Sequence, residues 1–402
     1  MKKLAKGLTL TTLALSMLIP INAYGSAKPK LKKQIIVISD SAETTISNIK
    51  KRDSDETIKK IKEMYNFDKI TLSTLKQNNF TIKHSEDSII VVSFENISSN
   101  KDLLNNIINE INKQNLVYIY GKGFTTQDVE QLTGLKIEKR SKEKLEESSV
   151  KNQEWQYLGV GKEVDGKFNF DFGQVTYKEA DGTYIIPDDS FILQSVINSN
   201  KRLELKNEKN KLAPTGYGDD PIVTRDSLSK DGYAFNELKA NLSVDWFLHK
   251  ASDNDAEYDY FYLEDSVELN GYNGYTTGYD LKTWHSLPSA SDIIKDWGPD
   301  SNSGSTFAVS LPWGVQWQFS TNAAISLTTE GSQADDKVFW NVDERWYQYG
   351  ISLPLRIRPG TAWASKGTYA MINTQHYGAV RKNGGFDLVE LSIDPQVRYD
   401  YN

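Results

Sequence analysis

Hydrophobic residues in the first part of the chain alternate between strand-like runs and a helix-like stripe. Residues 34–38, 88–94 and 116–120 are short apolar runs, as expected for buried strands. The intervening apolar residues at helical spacing are Leu103, Leu104, Ile107, Ile108 and Ile111. This alternation of strands and helices predicts a small α/β domain over residues 33–200.

Two further helices are indicated by their first residues. Thr125 and Asp128 have the spacing of a capping box, and Gly134 is suited to the end of that helix. Pro187 is suited to the start of another helix. The apolar residues of this second helix are Phe191, Leu193, Val196 and Ile197.

The strongest periodic pattern lies between residues 307 and 327, where apolar and polar residues alternate. A period of two is typical of a strand with one apolar face. One continuous strand of this length would be about twice the usual upper limit, so we expect a break. Residues 312–314 (Pro-Trp-Gly) and the pair Thr321 and Asn322 are the candidate positions.

Three structures fit this alternation. The preferred one is a pair of sandwich strands with the aromatic face in the core. The alternative is a membrane-inserting hairpin within 305–329, with limbs at 305–313 and 315–327. A barrel strand needs about nine to eleven residues, and both limbs are long enough. The third is an exposed edge that assembles into fibres or oligomers. The membrane-facing residues of the hairpin would be Phe307, Val309, Leu311, Trp313, Val315, Trp317 and Phe319.

The composition changes sharply along the chain, which indicates two domains. Eight of the nine Trp follow residue 215, and that half consists almost wholly of strand and turn patterns. We therefore predict an α+β protein, in which the small α/β domain precedes an all-β, sandwich-like and jelly-roll-like domain at 222–402. A charged segment at 138–153 lies within the first domain, and a linker spans 201–221.

The N-terminus has the pattern of a secretory signal peptide over residues 1–25. A lysine-containing start precedes an apolar run, and small residues follow at Ala23 and Gly25. Removal of Lys2, Lys3 and Lys6 changes the formal charge from −7 to −10. An acidic chain is a poor general ligand for nucleic acid, so no nucleic-acid partner is expected. The chain has no Cys, which excludes disulfides and thiol-linked lipids. These features predict a secreted, extracellular protein.

A loop rich in Gly, Tyr and Asn at residues 270–279 is suited to recognition, because Tyr combines an apolar ring with a polar tip. Aromatic rings stack on sugars, so the loop and nearby Trp residues predict a glycan or cell-surface site. An equally simple interpretation is a hairpin turn whose Tyr residues cover the end of the sandwich. The candidate binding residues are Tyr272, Tyr275, Tyr279, Trp284, Trp340 and Trp346.

No residue pattern indicates a catalytic centre, a metal site or a cofactor. The four His are far apart, and no G-x-S-x-G motif is present. Four carboxylates are a calcium candidate, although they lack the EF-hand spacing, and a solvated acidic loop is the preferred interpretation. These residues are Asp253, Asp255, Glu257 and Asp259. Asp343 and Glu344, beside Trp residues, are the acidic pair for a glycan hydrolase.

The leading hypothesis is a secreted, non-enzymatic binding protein that contacts a glycan or cell-surface partner through its β domain. The alternative is a β-pore-forming toxin that uses the hairpin at 305–329, and this alternative alone requires a membrane partner. A glycan hydrolase is a third hypothesis. The sequence does not indicate an oligomeric state.

Overall fold

The computed structural model describes residues 32–78, 80–85, 88–135, 154–162, 168–210, 222–251, 255–299, 307–310, 316–319, 327–343 and 351–401. The predicted signal peptide and the charged segment 138–153 lie outside these ranges. Met1–Lys32 and Lys33–Asn402 are separate units, and the description below concerns the second.

The described helices are α1 (Ala42–Lys51), α2 (Glu56–Met64), α3 (Leu72–Gln77), α4 (Phe94–Ser99), α5 (Lys101–Asn112), α6 (Thr126–Thr133) and α7 (Asp189–Asn210). The strands up to residue 234 are β1 (Lys33–Ile38), β2 (Tyr65–Ile70), β3 (Ile89–Ser93), β4 (Val117–Phe124), β5 (Trp155–Lys162), β6 (Phe168–Lys178), β7 (Tyr184–Ile185) and β8 (Ile222–Ala234).

The remaining strands are β9 (Glu237–Lys250), β10 (Asp259–Gly271), β11 (Thr277–Ser286), β12 (Asp292–Gly298), β13 (Phe307–Ser310), β14 (Gln316–Phe319), β15 (Leu327–Ser332), β16 (Lys337–Asp343), β17 (Ile351–Ser352), β18 (Leu355–Ile357), β19 (Gly360–Ser365), β20 (Tyr369–Arg381), β21 (Leu388–Ile393) and β22 (Gln396–Asp400).

Two large sheets organise the unit. The 13-stranded sheet has the order β12-β19-β10-β9-β8-β6-β5-β4-β3-β1-β2, with β18 on β10 and β7 on β6. The 7-stranded sheet has the order β15-β16-β11-β20-β21, with β17 on β11 and β22 on β20. The prediction of an α+β protein with a sandwich-like β region is confirmed. The jelly-roll topology stays a prediction.

Strands β1 and β3 and the first half of β4 are buried on both faces, which explains their continuous apolar runs. Ile36 and Ile38 of β1 belong to the core that also contains residues of α5 and the second sheet. Ile35 and Val37 point to the opposite core, which contains residues of α1, α2 and α7. The predicted capping box is confirmed, because Thr125 and Asp128 exchange their hydrogen bonds at the start of α6, which ends at Gly134 with φ 71°.

A strand–helix–strand connection joins the two predicted domains. β6 and β8 pair in parallel, from Asp171 with Ser227 to Lys178 with Ala234, and α7 lies between them in the chain. α7 continues to Asn210, through part of the range predicted as a linker. The division into two domains stays a prediction, although ladder hydrogen bonds connect its two sides.

Candidate functional site

The hairpin of β13 and β14 lies in the chain between the edges of the two large sheets. β12 is the terminal strand of the 13-stranded order, and β15 is the terminal strand of the 7-stranded order. In the part of the chain that the structure describes, β13 and β14 pair with each other and with no other strand. The hairpin therefore connects the two sheets without contributing to either.

The register of this small ladder separates two kinds of residue. Partners directly opposite each other share a face of the ladder. The pairs on one face are Phe307 with Phe319 and Val309 with Trp317; those on the other are Ala308 with Gln318 and Ser310 with Gln316. The hairpin thus has one apolar face and one small or polar face. Leu311, Trp313 and Val315 lie outside the described residues.

The break in the alternation falls where the first candidate position was predicted. β13 ends at Ser310 and β14 begins at Gln316, on either side of residues 312–314. A second sequence signal was available and is more specific than alternation. Residues 301–329 contain no Asp, Glu, Lys or Arg, in a chain in which 25% of residues are charged. Even the polar face of the hairpin is therefore uncharged.

The base of the hairpin is fixed by contacts between the two sheet edges. The carbonyl oxygen of Pro299, just after β12, accepts hydrogen bonds from Trp340 Nε1 at 3.1 Å and Thr329 Oγ1 at 2.8 Å. Trp297 of β12 lies against Gly331 of β15, where an added Cβ would overlap the indole ring. The segment of the hairpin thus begins and ends at strands that are held together.

The predicted binding aromatics do not form one surface. Tyr275 and Trp340 are buried, with 1% and 0% exposure, so their rings cannot stack on a sugar in this structure. Trp284 is half-buried and stacks on Phe339, on the face of the sheet opposite Trp340. Tyr279 is exposed. Tyr272 is half-buried and Trp346 lies outside the described residues, so the glycan site stays a prediction.

The Asn-Gly turn in the predicted recognition loop contacts the N-terminal half of the chain instead. Asn273 and Gly274 both have positive φ, as a tight Asn-Gly turn requires. Asn273 Oδ1 accepts a hydrogen bond from the backbone N–H of Glu56, and its Nδ2 donates to Leu238 O at 2.7 Å and to Asp55 Oδ1 at 3.3 Å. The turn therefore connects the start of α2 to β9.

The acidic residues of the calcium candidate have separate partners. Asp255 Oδ1 accepts the backbone N–H of Glu257 at 2.8 Å, while the side chains of Glu257 and Asp259 pair with Lys366 and Lys250. Asp253 is outside the described residues. Over the described ranges, no group of three or more His, Cys, Asp or Glu could hold a metal ion. Asp343 ends β16 and Glu344 is not described, so the hydrolase hypothesis stays untested.

A buried ionisable cluster that the sequence pattern did not indicate lies between the two sheets. His285 Nε2 is 2.8 Å from Asp265 Oδ2, and His376 Nε2 is 3.5 Å from the same oxygen. Thr361 Oγ1 lies 2.8 Å from His285 Nδ1, and Thr283 Oγ1 lies 3.2 Å from His376 Nδ1. Burial lowers the pKa of His376 to about 4, against the opposing attraction of Asp265.

No described helix has both the length and the apolar character needed to cross a membrane.

Comparison with known proteins found no matching family model and no matching curated protein. A solved structure described as a pore-forming protein is 7% identical, with a TM-score of 0.24, over 45% of this chain and 94% of that one. The major pilin SpaD from Corynebacterium diphtheriae is 9% identical, with a TM-score of 0.26, over 42% of this chain and 36% of the pilin.

The Clostridium perfringens NetB toxin, in its membrane-inserted form, is 4% identical over 43% of this chain and 94% of the toxin, with a TM-score of 0.21. Similarities at these TM-scores do not identify a shared fold, so the function is inferred from the chain itself.

Proposed function

We propose that this protein is secreted and forms pores by inserting the β13–β14 hairpin into a target membrane. The observation that supports this most is that, in the described ranges, no ladder of hydrogen bonds joins the hairpin to either large sheet. A strand pair needed for the sandwich core would be expected to continue one of the sheets. In the described ranges this pair continues neither sheet, so it could move without breaking a ladder of either.

The faces of the hairpin have the chemistry that a membrane barrel requires. Strands of such a barrel alternate between an apolar, lipid-facing side and a polar, lumen-facing side. The observed register gives this alternation over residues 307–310 and 316–319. The surrounding sequence has no charge, and on the same parity as Phe307 it carries Ser301, Ser303 and Ser305. In the membrane state that we propose, the register continues so that 301–311 pairs with 315–325. Each limb then has about eleven residues, enough to cross the hydrocarbon core.

One hairpin cannot cross a bilayer alone, because its two outer edges would leave backbone groups without hydrogen bonds in hydrocarbon. A closed barrel removes these edges. The smallest membrane barrels have about eight strands, so at least about four copies must each contribute one hairpin.

The test uses the secreted chain and phosphatidylcholine vesicles that contain a self-quenched dye. We expect the wild-type protein to release the dye. Val309→Asp places a charge on the lipid-facing side of the hairpin in every copy, and should reduce release by about tenfold or more. Ser310→Asp is the matched control, since it adds the same charge to the same strand on the opposite face and should retain release.

A second measurement separates insertion from misfolding. The chain has no Cys, so Val309→Cys and Ser310→Cys each give one labelling site. An environment-sensitive fluorophore at residue 309 should shift to the blue on vesicles, whereas one at residue 310 should shift much less. Equal shifts at the two positions, or intact vesicles with the wild-type protein, would contradict the proposed function.

A further inference from the structure

We propose that five exposed apolar side chains at one end of the molecule form a surface that binds the bilayer before the hairpin inserts. This inference rests on the proposed function and specifies where the protein meets the membrane. The residues of this apolar tip surface are Tyr184, Ile185, Ile186, Phe235 and Phe386.

The exposure of these side chains is unusual for their type. Phe386 is 96% exposed, Phe235 64% and Ile186 49%. Together with Tyr184 and Ile185 they are five of the nine exposed large apolar side chains in the described ranges. Leaving such groups in water is unfavourable relative to burying them. Single exposed apolar residues are common, but a group of five at one place indicates an interaction site.

Hydrogen bonds join the two turns and the short strand that carry the surface. The turn between β8 and β9 is tied to the end of β6, because Asn236 N–H donates to Tyr177 Oη at 3.3 Å. The same end of β6 is tied to the turn between β20 and β21. There, Lys178 Nζ is 2.8 Å from Asp387 Oδ1 and 2.6 Å from Leu388 O.

The strand β7 completes the set. It pairs with the end of β6, with Tyr177 opposite Ile185 and Lys178 opposite Tyr184. Tyr184 Oη also accepts the backbone N–H of Glu390, on β21, at 3.1 Å. The turns are therefore neighbours in space, although they lie far apart in sequence.

Phe235 shows that an apolar tip is retained against a local cost. It has φ 52° and is followed by Asn236 with φ 60°, in the two-residue turn between β8 and β9. Such turns strongly prefer Asn, Asp or Gly at the first central position. A bulky aromatic residue with positive φ has a strained backbone. Neither the backbone conformation nor the exposure to water favours Phe at this position. A contact with a partner, such as a membrane, would explain the presence of Phe235.

The hairpin leaves the first sheet toward the same end. Gly298, the last residue of β12, pairs with Gly360, which pairs with Glu264 of β10. β12 runs in the same direction as β10, so its last residue lies on the side of the strand that leads to the end of β10 at Gly271. Gly271 pairs with Ala240, close to the turn between β8 and β9.

The second attachment point of the hairpin faces the same end as well. Leu327, the first residue of β15, pairs with Val342, which pairs with Leu281. Beyond Leu281 in that direction lies Thr277, which pairs with Arg381, the last residue of β20. The turn that contains Phe386 follows immediately. Strand β12 thus ends, and strand β15 begins, in the direction of the apolar tip surface.

A lipid surface fits this arrangement better than a protein partner. The apolar groups lie on separate turn tips and β7, and Tyr and aliphatic side chains of this kind enter the boundary between headgroups and acyl chains. Flanking charges have both signs: Lys178 is paired with Asp387, and Lys382 and Glu390 are exposed. Without a dominant positive charge, we expect a zwitterionic bilayer to suffice.

The experiment measures sedimentation of the secreted chain with protein-free phosphatidylcholine vesicles. We expect wild-type binding that persists at about 0.5 M salt, because apolar contacts are not screened. Phe386→Ser and Ile186→Ser should each lower the affinity about tenfold. Ile222→Ser is the matched control: this residue is 40% exposed at the opposite end of β8 and should bind as the wild type does.

The outcomes distinguish this inference from the proposed function. If the wild type does not bind protein-free vesicles, or if Phe386→Ser and Ile186→Ser both bind normally, the apolar tip surface is not the membrane contact. If the wild type binds through this surface but releases no dye, the pore function fails and the contact stands. Val309→Asp should bind normally without release, because its charge lies on the hairpin.

Discussion

At the scale of single residues, the cluster of Asp265, His285 and His376 makes the packing of the two sheets dependent on pH. Asp265 belongs to the 13-stranded sheet, and both His belong to the 7-stranded sheet. All three side chains have 0% exposure, so any new charge there must be accommodated without water. The interface therefore tolerates a neutral His376 better than a protonated one.

We predict that the protein loses stability in acid and that His376→Gln reduces this loss. The unfolded chain binds a proton at His376 near the ordinary pKa of 6.5, whereas the fold resists protonation until about pH 4. Stability therefore falls as the pH decreases through this window, by up to about 3 kcal/mol. Free energies of unfolding in urea at neutral pH and near pH 4.5 measure the effect.

The comparison for this prediction is His84→Gln, which changes a His outside the interface. Because His84 Nε2 lies 2.9 Å from Glu110 Oε2, this variant removes a favourable ion pair and should not reduce the loss of stability in acid as His376→Gln does. An unchanged pH dependence in His376→Gln would assign the acid sensitivity to other groups.

At the scale of elements, the edge strands β12 and β15 hold the base of the hairpin. We predict that Gly331→Ala destabilises the protein by about 1–3 kcal/mol, because the new methyl group overlaps the Trp297 ring and forces the edges apart. Thermal or urea unfolding measures this change. Gly385→Ala is the control, since its Cβ would meet nothing closer than 3.7 Å. Equal stability of the two variants would contradict the close packing of this edge.

Local patterns were sufficient to predict several elements. The apolar stripe from Leu103 to Ile111 predicted α5, and the pair Thr125 and Asp128 predicted the start of α6. The surroundings of the β13–β14 hairpin were harder to predict from the sequence. Alternation reports that a strand has two different faces, but it does not report whether a sheet or a lipid covers the apolar one.

The candidate site shows the same limit. Burial of Tyr275 and Trp340 depends on partners from distant strands, which the composition of the loop cannot reveal. The cluster of Asp265, His285 and His376 also forms only when strands from two sheets pack together. The absence of charge over residues 301–329, by contrast, is visible in the sequence and could have favoured the membrane hairpin.

At the scale of the whole molecule, the α/β and β parts are connected by α7. Arg202, near the middle of this helix, donates to Ser229 Oγ at 2.8 Å and lies 3.4 Å from Asp231, both on β8. Together with the parallel ladder of β6 and β8, these contacts give the hairpin a body that includes both halves of the chain.

We predict that the protein assembles on membranes into at least about four copies, because each chain supplies two strands of a barrel. Chemical cross-linking of the vesicle-bound protein, followed by denaturing electrophoresis, should show a discrete high-mass band that the protein in vesicle-free solution lacks. Leaking vesicles from which only single chains are recovered would contradict a shared barrel.

The lack of ladder hydrogen bonds between the β13–β14 hairpin and either large sheet, in the described ranges, also has a kinetic consequence. In the described ranges, release of the hairpin breaks no hydrogen bond of the β12–β19 or β15–β16 ladders. The activation barrier for releasing the hairpin is therefore that of a local opening. Proteins open locally far more often than they unfold globally. Variants that make the body more heat-resistant should accordingly leave the speed of insertion unchanged, whereas the speed should respond to changes in the hairpin and its attachment points.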